Sequence, residues 1–242
     1  MNTVLYDWPF FALACGVIGI FVLLVMPWPA DSPPRWRDPA WLVCLVLPVY
    51  MIHQFEEHGI DLLGRRYQFI IEMCRTIGHP DLASCPADGA FIFAVNVGTV
   101  WIAGLTAIAW RRKNPMVGAC AFGIVLVNGF AHIVPGGIVH RAYNPGLLTS
   151  VLLFLPLSVY ALRTMHRAGV LDGCRLLAVV ASGVVLHLIL LGGLLAYGSG
   201  LISRTTNLGL QIANGFVPLA FGALLPTSHG ERAGQRGNSA RA

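Results

Sequence analysis

The chain has 242 residues, of which 56% are hydrophobic and only 11% are charged, and its mean hydropathy is +0.68. Soluble domains carry about 25% charged residues, so this composition excludes a soluble globular domain, a disordered chain and a coiled coil. The sequence pI of 9.1 does not indicate nucleic-acid binding, because the 16 Lys and Arg residues are dispersed in twos and threes between apolar runs. The composition predicts an all-α protein, a polytopic transmembrane helical bundle.

A transmembrane helix requires about 20 mostly apolar residues, and seven stretches of the chain meet this requirement. They are Pro9–Met26, Pro39–His58, Phe91–Trp110, Pro115–Val139, Gly146–Leu162, Leu176–Tyr197 and Leu208–Leu225. We expect seven spans, with six as the alternative, because the fifth and seventh stretches are short and the fifth contains Pro156. We interpret residues 1–226 as one transmembrane domain. The Gly-, Ser- and Arg-rich residues 227–242 are predicted to be a disordered cytoplasmic tail.

The distribution of positive charge predicts the orientation of the chain. With seven spans, 11 Lys and Arg residues fall on the side of the carboxyl terminus and five on the other side. Because cytoplasmic loops are enriched in Lys and Arg, we expect the carboxyl terminus in the cytoplasm and the amino terminus outside.

The longest connection, residues 59–90, lies outside in this topology. Its mixture of apolar and charged residues is typical of an interfacial amphipathic helix, which we expect to end near Gly78. Such a helix either covers a site or only links two spans. Cys74 and Cys85 lie 11 positions apart in this connection, where an oxidising compartment would allow a disulfide. The sequence leaves their pairing open.

The second span carries ionisable residues, which are costly inside a membrane and by default indicate a functional site. It ends with the sequence His53-Gln54-Phe55-Glu56-Glu57-His58, and its two glutamates are the only acidic residues within the predicted spans. On a helix, His53 lies one turn from both Glu56 and Glu57, so an imidazole and a carboxylate can converge on one point. Metal ligands on helical bundles show a similar spacing.

Polar residues from the third and fourth spans reach the same depth in the predicted topology. They are Asn96, the i, i+4 pair Asn128 and His132, and His140, Arg141 and Tyr143 near the following turn. All of them fall in the outer half of the bilayer, which predicts one shared site. Two alternatives remain: both glutamates lie at the membrane surface, or His132 is a core histidine bonded to a backbone carbonyl.

The leading hypothesis for this site is a metal-dependent membrane enzyme. His53, Glu57 and His132 would bind one divalent ion, with His140 as a fourth ligand, while Glu56 would bridge to a second ion or act as a general base. Residues expected to orient the ligands or the substrate are Asn96, Asn128, Tyr143 and Arg141.

Zinc is favoured over iron, because the chain has only eight histidines and several lie at the wrong depth for a histidine-rich di-iron site. The expected activity is that of a hydrolase or transferase for a membrane lipid or isoprenoid, with Glu56, Glu57 and His132 as catalytic residues. The sequence does not define the oligomeric state.

Two alternative functions remain open. In the first, Glu56 or Glu57 is a metal-free Brønsted acid of an isoprenoid (terpene) cyclase, its proton retained by apolar surroundings. In the second, the chain is a non-enzymatic transporter or sensor of protons or cations, whose carboxylates carry the ion.

The residues His53-Gln54-Phe55-Glu56-Glu57 resemble the motif of the HXXEE family of bacterial integral membrane proteins. The Asn128/His132 pair and Tyr143-Asn144-Pro145-Gly146 are similar to two further motifs of that family. The resemblance covers residues 42–162. It implies a membrane enzyme without an established reaction, a metal at these residues and a multi-pass protein of the bacterial inner membrane.

Overall fold

A computed structural model of the protein describes residues 4–79 and 81–225, so the predicted tail at 227–242 lies outside the described residues. The described part is helical and contains no β-strand. Its helices are α1 (Val4–Val25), α2 (Pro39–His58), α3 (Gln68–Thr76), α4 (Gly89–Trp110), α5 (Pro115–His140), α6 (Leu147–Arg167), α7 (Gly173–Gly198), α8 (Arg204–Asn214) and α9 (Val217–Leu224).

Six of these helices, α1, α2 and α4 to α7, are long and apolar enough to cross a membrane. Helices α8 and α9 form a seventh candidate that is bent by 45° at the break between them. The protein is therefore a multi-pass membrane protein, as predicted, with six spans or seven if the bent pair counts as one.

Helix α2 is the centre of the bundle. In its most apolar 18-residue segment, 83% of the residues are buried, against 22% in α1 and 28% in α7. Its first turn is fixed by Asp38, whose carboxylate accepts a hydrogen bond from the Ala40 amide at 2.8 Å, and by Pro39 at the first helical position. Both features are typical of helix N-termini. The helix that carries the His-Glu motif is thus enclosed by its neighbours along most of its length.

Three stretches of π-helix interrupt the spans: Ala94–Trp101 in α4, Ile133–His140 in α5 and Ser150–Phe154 in α6. The stretch in α6 lies just before Pro156, whose ring would clash with the preceding turn of a regular helix. This local change of winding is how the fifth span accommodates its proline. In α4, the side-chain amide of Gln54 donates to the backbone carbonyl of Asn96 at 3.1 Å.

Helices α5 and α7 approach closely at a pair of glycines. A Cβ on Gly123 would lie 2.0 Å from the Val179 carbonyl oxygen, and a Cβ on Gly183 would lie 2.3 Å from the Gly123 carbonyl oxygen. Small residues allow such backbone contact between transmembrane helices. The backbones of α5 and α7 are therefore in contact at Gly123 and Gly183.

The connection between α2 and α4 contains the predicted amphipathic helix, α3, which ends just before Gly78 in the left-handed conformation (φ 86°). A disulfide joins Cys74 of α3 to Cys85 in the connection to α4. The pairing that the sequence left open is therefore present, and it attaches α3 to the start of the third span.

Candidate metal centre

Three predicted residues meet in the bundle. One ligand atom from each of His53, Glu57 and His132 lies within 4.8 Å of the other two, and all three side chains are buried. His53 Nε2 lies 3.4 Å from Glu57 Oε2, and His132 Nε2 lies 3.2 Å from Glu57 Oε1. The i, i+4 spacing on α2 and the facing helix α5 together produce this cluster.

The tautomer of His53 follows from its hydrogen bonds. Its Nδ1 lies 2.8 Å from Thr149 Oγ1, and that hydroxyl donates its only proton to Glu56 Oε2 at 2.5 Å. The hydroxyl must therefore accept from Nδ1–H, so His53 Nε2 carries a lone pair. The Asn128 amide donates to Nε2 at 3.1 Å, which agrees with this assignment.

His132 is oriented in the same way by Asn144. The Asn144 side-chain amide donates to the His132 backbone carbonyl at 3.1 Å, which fixes the direction of the amide, and its Oδ1 accepts from His132 Nδ1 at 3.3 Å. The Nε2 lone pair of His132 therefore faces Glu57. The His132 lone pair and the Glu57 carboxylate lie 3.2 Å apart in a buried space, which is favourable only if they share positive charge, either a metal ion or a proton. The His53 lone pair accepts from Asn128, and a bound ion would take the place of that hydrogen bond.

Glu56 lies beside the cluster with its carboxylate directed at the first turn of α6. It accepts hydrogen bonds from the backbone amides of Leu148 at 3.0 Å and Thr149 at 2.7 Å, from Thr149 Oγ1, and from Tyr143 Oη at 2.9 Å. The amino-terminal turn of a helix stabilises an anion. With four donors on its two oxygens, Glu56 anchors α6 to α2 and acts on His53 through Thr149.

Tyr143 lies in the connection between α5 and α6 and joins two segments. Its hydroxyl donates to Glu56 and accepts from the Leu62 backbone amide at 2.9 Å. Burial raises the pKa of Tyr143, and the neighbouring Glu56 carboxylate raises it further. The phenol is therefore protonated at neutral pH and able to donate.

Gly146 explains the turn that follows Tyr143. Its φ is +92°, and a Cβ at this position would lie 2.7 Å from His132 Cε1 and 2.9 Å from His53 Cε1. Only glycine combines this conformation with so close an approach to both rings.

The other predicted residues lie apart from the three ligand atoms. His140 and Arg141 are exposed at the end of α5, where Arg141 has a positive φ of 49°. Asn96 is buried, but its side-chain oxygen accepts from Gln54 at 3.1 Å and its amide donates to the Ile92 carbonyl at 3.0 Å. The structure therefore brings neither His140 nor Asn96 to the cluster.

Four neighbours of the cluster are not predicted from the sequence. Thr149 and Asn144 hold the two imidazoles; both lie within or just after the Tyr143–Gly146 motif, whose turn offered the only signal. His58 Nε2 donates to Glu57 Oε2 at 3.0 Å, a contact between adjacent residues that helical spacing does not predict. His187 lies on α7 with Nδ1 2.8 Å from the Gly183 carbonyl and Nε2 3.3 Å from Asn128 Oδ1.

A cavity of about 360 Å³ lies against the cluster, between α2, α3, α4, α5 and α7. Its polar lining includes Glu57, His58, His132, Asn128 and His187, and Glu72 lies on its α3 side. Asn96, predicted to orient the ligands or the substrate, lies apart from the ligand atoms but lines this cavity. The remaining lining is mostly apolar, with Tyr50, Phe69, Phe91 and Leu186 among it. The cavity falls within the size range of small-molecule sites, which are largely apolar with a few convergent polar groups.

Comparison with known proteins gives one result. Residues 44–161, slightly less than half of the chain, match the model of a family described as "Protein of unknown function with HXXEE motif". No curated protein and no solved structure matches the chain. The match includes His53, Glu57, His132, Asn144 and Thr149, so the segment that carries the cluster is the segment that is similar to the HXXEE-motif family.

Proposed function

We propose that the protein is a metal-dependent membrane enzyme, a hydrolase or transferase acting on a lipid or isoprenoid substrate. The supporting observation is the donor set: two imidazole Nε2 lone pairs and one carboxylate, buried together within 4.8 Å. Two histidines and one carboxylate are a common ligand set of hydrolytic zinc sites. We propose zinc rather than iron as the ion, held by His53, Glu57 and His132.

When bound, zinc supplies Lewis-acid polarisation of a substrate carbonyl or phosphoryl oxygen and activation of water. The chain's residues orient the donors: Thr149 holds His53, Asn144 holds His132, and His58 donates to Glu57. Glu57 and His132 form part of the cavity wall, so a substrate in the cavity lies against the ligand atoms. Glu56 does not line the cavity, and its four hydrogen bonds give it a positioning role rather than the role of base or bridging ligand.

The two alternative functions are less well supported by the same geometry. Glu56 does not line the cavity, and its oxygens are occupied by Tyr143 and by the start of α6, which disfavours Glu56 as the acid of a cyclase. A transporter requires a polar path across the membrane. Between α5 and α7 the backbones are instead in contact at Gly123 and Gly183.

We further propose the cytoplasmic membrane of a bacterium as the location, with the amino terminus outside. The Cys74–Cys85 disulfide supports this orientation, because disulfides persist in oxidising compartments. The site would then lie in the outer half of the bilayer.

Zinc content of the purified protein tests the proposal. In lipid nanodiscs, elemental analysis is expected to give one zinc per chain for wild type and for the control His140→Ala, whose histidine is exposed and outside the cluster. His53→Ala, His132→Ala and Glu57→Gln are each expected to lose the ion. Release of water-soluble or lipid products from a membrane lipid extract, measured by mass spectrometry, should stop with a chelator and return with zinc. Substoichiometric zinc in wild type, or full zinc in these three variants, would refute the proposal.

A further inference from the structure

Two facing helices present polar residues to the cluster with the same spacing. His53 and Glu57 lie four positions apart on α2, and Asn128 and His132 lie four positions apart on α5. Residues at this spacing share one face of a helix. Three members of the two pairs are the proposed ligands. The fourth, Asn128, lines the cavity, and its side-chain nitrogen lies 3.1 Å from His53 Nε2.

The other end of the Asn128 amide faces His187 of α7. His187 Nδ1 lies 2.8 Å from the Gly183 backbone carbonyl, which can only accept, so the ring proton is on Nδ1. His187 Nε2 therefore carries a lone pair, and it lies 3.3 Å from Asn128 Oδ1, which is also an acceptor. Two acceptors that face each other form no hydrogen bond. The amide as placed thus has a partner at its His53 end but not at its His187 end.

We infer that Asn128 is a fourth ligand of the ion, through Oδ1, and that His187 is the positioning residue that holds its amide for this role. When the ion is bound, the His53 lone pair belongs to it, and an amide N–H directed at the same point would face a cation. A half-turn about the Cβ–Cγ bond of Asn128 directs the oxygen at the ion and the N–H at the lone pair of His187 Nε2. Both ends of the amide then have a partner of opposite polarity.

The alternative to this half-turn is a second proton on His187. That proton would allow Nε2 to donate to Asn128 Oδ1, but it would place a further positive charge near the ion, inside a membrane span, where charge is costly. Side-chain carbonyl oxygens are ordinary ligands of divalent ions. Catalytic zinc can take a fifth ligand, so an oxygen of a substrate in the cavity still has a position beside Asn128.

Two substitutions distinguish a ligand from a residue that only orients His53. Asn128→Asp keeps an oxygen but has no N–H, whereas Asn128→Leu has a similar volume and neither group. Zinc affinity, measured by chelator competition in nanodiscs, is expected to stay at or above the wild-type level in Asn128→Asp. In Asn128→Leu it is expected to fall more than about 100-fold, beyond the range of about 10–100-fold for groups that only orient a ligand. Equal loss in both variants, or wild-type affinity in Asn128→Leu, would overturn the inference.

The matched control for these variants is Asn96→Leu. Asn96 is a buried amide that lines the same cavity, but it is bonded to Gln54 and to the Ile92 carbonyl. It should therefore bind zinc as wild type does. A cooperative thermal unfolding transition in excess chelator shows that each variant is folded without the ion.

Infrared spectroscopy reports the oxygen directly. The protein is labelled with asparagine whose side-chain carbonyl carries a heavy carbon isotope, and the difference spectrum on zinc addition is recorded. Wild type and Asn96→Leu are expected to show a shifted carbonyl band that is absent in Asn128→Leu. In His187→Phe, which cannot accept from the amide, the shift should be smaller and zinc affinity about 10–100-fold lower. An unchanged shift in His187→Phe would overturn its positioning role.

This inference rests on the proposed function, because Asn128 has an ion to bind only if the cluster holds one, and the two fail in different ways. One zinc per chain in wild type, without a shifted band that depends on Asn128, overturns the inference and leaves the site of His53, Glu57 and His132 in place. Wild type that binds no zinc refutes both.

Discussion

Thr149 provides the sharpest test of how the cluster is held. Its hydroxyl lies between His53 Nδ1, at 2.8 Å, and Glu56 Oε2, at 2.5 Å. Valine has nearly the same shape but neither donates nor accepts. Thr149→Val therefore removes the bond that fixes the ring and tautomer of His53, without removing a metal ligand and with little change in volume.

The expected effect is a loss of zinc affinity by about 10–100-fold, the range observed when a group that orients a metal-bound histidine is removed. This corresponds to about 1.4–2.8 kcal/mol of binding free energy. Glu56 also loses one donor but keeps three, those of Tyr143 and of the Leu148 and residue-149 backbone amides. The fold is therefore expected to tolerate the change better than the metal site does.

Competition with a chromophoric chelator measures the zinc affinity, and the visible absorption of the cobalt-substituted protein reports the ligand geometry. Thr149→Ser should restore both, because serine keeps the hydroxyl. Thr164→Val, at the other end of α6, is the matched control and should behave like wild type. Unchanged zinc affinity and an unchanged cobalt spectrum in Thr149→Val would refute the assignment of His53 Nε2 as a ligand atom held by this hydroxyl.

Three further changes test the turn at Gly146, the hydrogen bonds of Tyr143 and the disulfide. Gly146→Ala should abolish zinc binding, because its Cβ would lie 2.7 Å and 2.9 Å from the two imidazole rings. The control Gly200→Ala, with a φ of +77° but open space around it, should retain the ion. Elemental analysis of zinc distinguishes the two variants. Tyr143→Phe should lower the free energy of unfolding in detergent titrations by about 1–2 kcal/mol, since a donor and an acceptor are lost. Because burial raises the pKa of Tyr143, this difference should be fully present below about pH 10 and disappear only as the pH rises through the raised pKa; a difference already lost at pH 8 would contradict this assignment. Replacing Cys74 and Cys85 together by serine should destabilise the protein by about 2–4 kcal/mol, and wild type under reducing conditions should show the same loss in thermal unfolding; equal melting of oxidised and reduced wild type would argue against it.

The sequence alone predicts the spans and the meeting of His53, Glu57 and His132, because both follow from hydropathy and from the cost of charge in a membrane. The α2 boundaries, Pro39–His58, agree with the prediction residue for residue. Local patterns could not predict features that depend on tertiary contacts. The π-helical stretch in α4 is one such feature, since the Asn96 carbonyl is satisfied by a side chain from α2.

The break in the last span also could not be predicted, because the sequence Leu208–Leu225 is one continuous apolar stretch. In the structure, residues 215–216 separate α8 from α9. A Cβ on Gly215 would lie 2.8 Å from the Thr99 carbonyl oxygen, so the chain bends where it touches α4. Hydropathy reports how apolar a segment is, but the contact that bends it belongs to another helix.

The roles of the two adjacent glutamates also depend on contacts with another helix. Successive residues of an α-helix point about 100° apart, so Glu56 and Glu57 cannot both face the space beside His53 in the same way. Glu57, one turn after His53, lies against both imidazoles, while Glu56 reaches the amides at the start of α6. The anchored turn of α6 carries Thr149, which holds His53. The second glutamate of the motif thus supplies a ligand atom, and the first fixes the helix that orients another ligand; a sequence that shows two neighbouring carboxylates cannot distinguish these roles until the partner helix is known.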